Sequence, residues 1–263
     1  MSLNLKASPI IIFITVILLA CIGIIGSSFY IKTHLPQSKN SSAESIPPSL
    51  KSSPSVPPFA LPTGNKILSG PFYSPDHSHS ALVVQTANNL ENSNFYVVYD
   101  NVPGKQYGSI VASVVFSQDG QKFAYIAGSK GGKDYVVAVN GQEIATYDQI
   151  YFPTFSPDGK RFAFTAVKGG KQLVVLDGKE GKPYEYIPDQ LIFSPDSKSL
   201  AYHATTQKST ISYVVLQDKE IGPYDNAGDI AFSTDSKEIV FKALKKNKSS
   251  QVYTEKLSIS SIP

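Results

Sequence analysis

The residue types best suited to chemistry are few and scattered. The chain has four histidines. His77 and His79 stand one residue apart directly after Asp76, and two imidazoles beside a carboxylate are donor types that a zinc ion takes. A turn tip is solvated, however, and no further ligand lies nearby, so these residues read as turn residues and no metal site is expected. His34 falls in a segment rich in proline and serine, and His203 lies inside an apolar strand-like segment, where a hydrogen-bonded histidine is the plain expectation. Gly131-Gly132-Lys133 and Gly169-Gly170-Lys171 carry the glycines and lysine of a phosphate loop. The Walker spacing with Ser or Thr after the lysine is missing and no helix follows, so they read as hairpin turns. No G-x-S-x-G elbow occurs. No catalytic residue and no cofactor is assigned.

Charge excludes one further class. The net charge is +3, and Arg161 is the only arginine. Lys242, Lys245, Lys246 and Lys248 are the nearest thing to a basic patch, which reads as a solvated hairpin. A nucleic-acid surface would bring arginine forks and a stronger basic bias.

The elements that would position any site come from a repeat. Phe155 to Ile187 is one copy, and its opening returns around Asp76, Asp119, Asp196 and Asp235, so successive turn aspartates lie 43, 39, 38 and 39 residues apart. A period near 40 with strand-like content marks a β-propeller. Each copy predicts four short strands. In the central one, Pro157-Asp158-Gly159 turns the chain, Arg161 to Ala166 forms the second strand, and Leu173 to Leu176 forms a third that is apolar on both faces. Asp177-Gly178 closes a tight hairpin, as do Asn140-Gly141 and the weaker equivalents Asp100-Asn101 and Gln217-Asp218. A tyrosine on the fourth strand, Tyr107, Tyr147, Tyr184 or Tyr186, and Tyr224, is expected to pack between blades. The last copy ends after three strands. Counting back from Tyr73 places a closing strand at about Pro58 to Leu68, which would tie the ring shut; the rival is an open array that pairs with a second chain.

Before the repeats, residues 1–8 form a short tail and residues 9–31 an uncharged run. At about 1.5 Å rise per residue this run spans a hydrocarbon core of about 30 Å as a transmembrane helix. Leu18-Leu19-Ala20-Cys21 resembles a bacterial lipobox, which keeps a lipoprotein anchored through Cys21 as the alternative; Ile22 to Ile25 continue the apolar run and favour an uncleaved signal anchor. A short N-terminus before such a segment puts a following domain outside the cytoplasm. Residues 32–64, rich in proline and serine, form a disordered linker, and residues 65–263 form the repeat domain.

The FSPDG and FSPDS openings, followed by FAF, LAY or FAY and a V-V-L/V strand, resemble the WD40-like repeat of TolB-type propellers, also found in the propeller domains of prolyl oligopeptidase relatives. With no tryptophan in the chain, true WD40 repeats match less well. The resemblance implies an all-β propeller of about five four-stranded blades, extracytoplasmic and engaged in protein binding, and supplies no catalytic residues. The function expected is therefore a membrane-tethered, monomeric module that binds a protein or other ligand. An envelope lyase or hydrolase at the propeller channel is the alternative. Loops between second and third strands are longest at Ala87 to Asn94 and at Lys245 to Ser250, so Asn92, Asn94, Lys245 and Lys246 are the expected binding residues.

Overall fold

The computed structural model describes residues 61, 63–86, 94–111, 114–206, 210–245 and 252–262. The apolar run from Pro9 to Ile31, the linker up to residue 60, Asn92 and Lys246 lie outside the described residues. Among the described residues no helix is long and apolar enough to cross a membrane.

The repeats fold as five successive antiparallel sheets, each a meander in chain order. The first blade is β1 (Lys66–Tyr73), β2 (Ser80–Gln85), β3 (Phe95–Tyr99) and β4 (Val102–Pro103). The second begins on two short pieces, β5 (Ser109–Ile110) and β6 (Val115–Phe116), and continues through β7 (Phe123–Gly128), β8 (Tyr135–Val139) and β9 (Gln142–Tyr147). The third holds β10 (Gln149–Phe155), β11 (Phe162–Lys168), β12 (Lys171–Leu176) and β13 (Lys179–Glu180); the fourth holds β14 (Ile192–Phe193), β15 (Leu200–Thr206), β16 (Ile211–Leu216) and β17 (Lys219–Tyr224). The fifth has β18 (Asn226–Phe232), β19 (Glu238–Leu244) and β20 (Val252–Ser258).

The turns form where the dipeptides demand. At Asp100-Asn101, Asn140-Gly141, Asp177-Gly178 and Gln217-Asp218 both residues have positive φ, the primed geometry whose twist matches the flanking strands. The turn between first and second strands is built five times over. The hydroxyls of Ser74, Ser117, Ser156, Ser194 and Ser233 donate to the aspartate two residues on at 2.5–2.6 Å. A backbone N–H two residues past each aspartate donates to the same carboxylate at 3.1–3.2 Å. The residue after each aspartate, His77, Gly120, Gly159, Ser197 or Ser236, takes a φ between 57° and 71°. His77 thus holds the place that glycine or serine holds in the other blades.

Strand alternation gives the second, third and fourth sheets two apolar faces, and each of these faces packs on the neighbouring sheet. In the third blade Phe164, Ala166, Leu173 and Val175 join Ile126 and Val137 of the second, while Ala163 and Val174 join Leu200, Tyr202 and Val215 of the fourth. The expected tyrosines seal these junctions. Tyr107, Tyr147, Tyr184 and Tyr224 meet Tyr125, Phe164, Tyr202 and Phe241 of the following blade edge-on, at centroid separations of 5.7–6.3 Å, contacts worth about 0.5–1.5 kcal/mol beyond burial. Tyr184, not Tyr186, fills this role in the third blade. The Tyr147 and Tyr184 hydroxyls donate to Glu180 and Glu220 at 2.9 Å, and that of Tyr224 to Glu255.

Of the closing strand expected at about Pro58 to Leu68, residues 58–60 and 62 lie outside the described residues, and Lys66 to Leu68 belong to β1. Lys66, Ile67 and the following residues pair with Gln85 and Val84 as the first blade's own first strand, and Leu61 packs on that blade's outer face, against Leu82, Val84, Tyr96 and Val98. The reason is local: without β1, strand β2 would present an unpaired edge at the most buried part of its blade. The fifth sheet has three strands among the described residues, and its free face is polar, with ion pairs Lys242–Asp229 at 2.8 Å and Lys256–Glu238 at 2.7 Å. Glu255 stands opposite Phe241, the place that Val215 takes opposite Tyr202 in the fourth blade. Glu255 is half-buried there and accepts from the Tyr224 hydroxyl, as Glu180 and Glu220 accept from Tyr147 and Tyr184.

Candidate functional site

The first strands of successive blades converge. Phe116 of β6, Phe155 of β10 and Phe193 of β14 line one cavity of about 520 Å³, so the first strands of the second, third and fourth blades face a common axis.

Along that axis every first strand is interrupted at the same place. The register slips between Ser69 and Phe72, between Tyr151 and Thr154 and between Gly228 and Ala231. In the second blade the break separates β5 from β6, and in the fourth it separates the Tyr186–Thr205 bridge from β14. Four residues before the turn serine, Gly70, Phe152 and Asp229 adopt positive φ. A bulge with a left-handed residue re-aims the side chains beside it, and for a bulky residue such as Phe152 that backbone is strained.

The re-aimed surface is apolar and open. Ile67, Leu68, Val111, Tyr151 and Tyr186, all on first strands or their direct extensions, are 38–47 % exposed. Tyr151 donates its hydroxyl to Gln149 and lies 6.2 Å ring to ring from Phe152. Burial, helped by Tyr135 and Tyr186, pushes its phenol up, so it stays a neutral donor. Polar groups interleave with the apolar ones. Asp229 pairs with Lys242, and Asp189 accepts from or pairs with His203 Nδ1 at 3.2 Å. His203 is 5 % exposed, and burial outweighs Asp189 in pushing its imidazole down, so the ring is held neutral.

The described residues among those singled out in the sequence fall at the two ends of the sheets. Asn94 donates its amide to Gln106 at 2.9 Å and its backbone N–H to Thr86 at 3.0 Å. Lys245 lies 4.9 Å over the Tyr224 ring. Both stand at the end of the sheets where first strands begin, since Lys66 pairs with Gln85 and Asn226 with Leu244. Asn92 and Lys246 lie outside the described residues. At the opposite end, Asp76 is held by Ser74 and Ser78, while His79 pairs with Asp100 at 2.5 Å and stacks on Tyr99. His77 leans on Tyr73. Among the described residues no group of three or more His, Cys, Asp and Glu is placed to hold a metal. Sequence reading missed Ile67, Leu68, Val111, Tyr151 and Tyr186. Strict alternation assigns them to packing faces, and Phe152 carries no signal for positive φ.

These blades are those of a β-propeller, and the chain is similar to TolB and other propeller proteins. No family model and no curated protein matches it. Among solved structures, TolB from Acinetobacter baumannii is 18 % identical with a TM-score of 0.37, over 66 % of this chain and 48 % of that one. A putative TolB from Agrobacterium tumefaciens is 15 % identical, TM-score 0.38, over 74 % and 78 % of the two chains. The β-propeller domain of the Trilobed protease from Pyrococcus furiosus, whose topology is described as open velcro, is 13 % identical, TM-score 0.46, over 76 % and 72 %. The chain thus spans about half the length of the Acinetobacter protein. The blade architecture stands on the sheet register and packing above, and these similarities carry nothing about activity.

Proposed function

We propose that this chain is a membrane-tethered binding module, with its propeller outside the cytoplasm and Pro9 to Ile31 as anchor, that receives a segment of a protein partner at the axial mouth and breaks no bond. The observation that carries the reading is the gathering of exposed Ile67, Leu68, Val111, Tyr151 and Tyr186 on first strands. Tyrosine and aliphatic side chains of this kind anchor partners. The loops at Asn92, Asn94, Lys245 and Lys246 spring from the same end of the sheets and would form the polar rim of the site.

Tyr151→Ser with Tyr186→Ser tests the reading. Both side chains are partly exposed, so the melting temperature should stay within about 2 °C while capture of the crosslinked partner falls at least tenfold. Unchanged capture with normal melting rejects the axial mouth. Replacing Asn92, Asn94, Lys245 and Lys246 together should weaken capture less.

A further inference from the structure

One residue at the axial surface strains its backbone without joining the core. The turn serines Ser74 and Ser156 hold equivalent places in the first and third blades, and four residues before them the chain reads Gly70-Pro71 and Phe152-Pro153. Both residues before the proline have positive φ, 103° at Gly70 and 51° at Phe152. Glycine takes such a backbone freely, and an aromatic residue does not. Proline adds to the strain, because its ring pushes the residue before it toward extended backbone. Asp229 holds the same place in the fifth blade, also at 51°, and aspartate is one of the few side chains that visit this region. The first blade is therefore an internal control, since the same bulge with the same proline forms there on glycine.

Packing does not offset the strain. Phe152 is half-buried, yet among the described residues it belongs to none of the apolar clusters that hold the blades together, whereas Phe162 and Phe164 of the same sheet both join the junction with the second blade. The ring that meets Phe152 is that of the exposed Tyr151, at 6.2 Å and 44°. Besides burial, the groups that act on the Tyr151 phenol are two further phenols, Tyr135 of β8 and Tyr186. Rings from three consecutive blades thus reach one another here, and a charged group laid on them would lose its water with nothing to pair it.

A residue that strains the chain and stays out of the core is kept for what it touches outside. We infer that Phe152 is a contact residue of the axial surface, and that the partner segment lying there packs an uncharged, apolar side chain on the Phe152 and Tyr151 rings. This rests on the reading that the axial mouth receives a protein partner, and it names the chemistry of that partner.

Benzoylphenylalanine in place of Phe152, in the full chain and in intact cells, is the probe. It should crosslink the same discrete partner as a photoreactive residue at position 186, and sequencing of the joined peptide should place the attachment in an uncharged, apolar stretch. Phe152→Gly separates contact from support, because glycine suits the backbone and removes the ring. The melting temperature should hold or rise, while capture from position 186 falls about tenfold. Absence of a crosslink from position 152, attachment in a stretch dense in lysine or carboxylates, or unchanged capture in Phe152→Gly overturns the inference. A melting temperature lower by more than about 5 °C also overturns it, since the ring would then support the fold. If Tyr151→Ser with Tyr186→Ser leaves capture intact as well, the axial mouth itself fails; if that pair lowers capture and Phe152→Gly does not, the role of Phe152 alone is rejected.

Discussion

Ser74, Ser117, Ser156, Ser194 and Ser233 hold Asp76, Asp119, Asp158, Asp196 and Asp235 below the ordinary carboxylate range, with backbone N–H groups adding to the hydroxyl bond. A carboxylate depressed in the folded state stabilises the fold above its unfolded pKa of 3.8, and that contribution is lost as pH falls through the folded value. Melting temperature should therefore be nearly flat from pH 7 to 5 and fall steeply below about 4. Asp158→Asn, with Ser156 intact, should lower the melting temperature at pH 7 and flatten the acid fall. An unchanged acid limb in that variant would deny the turns this role. These aspartates were legible in the sequence because a turn serine and aspartate recur with a fixed period. Tyr151 and Tyr186 were not, since a bulge reverses which face a side chain takes and leaves no mark in the alternation.

At the scale of the element, the hairpin dipeptides and apolar third strands marked most of the sheets correctly. Phe164 shows what the junctions are worth: it is 1 % exposed between the second and third blades, and Phe164→Ala should cost about 3–5 kcal/mol in denaturant unfolding. A cost below about 1 kcal/mol would mean that the junction is not packed as described. Lys66 to Leu68 were assigned to a closing strand because a count of residues cannot tell a blade's own first strand from a strand lent to its neighbour. The information lay in β20 instead, where Glu255 and Lys256 break the apolar pattern of the other third strands. Lys256→Val, on the face turned away from the fourth blade, should remove the ion pair with Glu238 and leave a sticky edge. Light scattering during size-exclusion chromatography should then show self-association absent from the parent chain.

For the molecule as a whole, five blades stack through consecutive apolar junctions, while among the described residues no apolar cluster joins the fifth sheet to the first. The first strands of the second, third and fourth blades nevertheless share one cavity, and the proposed binding surface lies beside it. Attachment is a separate matter. Protease added to cells with a permeable outer envelope should cut within Thr33 to Gly64 and release a resistant propeller, and Cys21→Ser should leave attachment unchanged if the anchor is an uncleaved helix. The most direct test of the binding claim is site-specific photo-crosslinking in intact cells, with the same photoreactive residue placed at Tyr186 on the axial mouth and at Ile144 on an outer strand, which is 52 % exposed. A discrete partner crosslinked from position 186 and not from 144 is the predicted result; equal yields from both positions, or a partner from 144 alone, would contradict it.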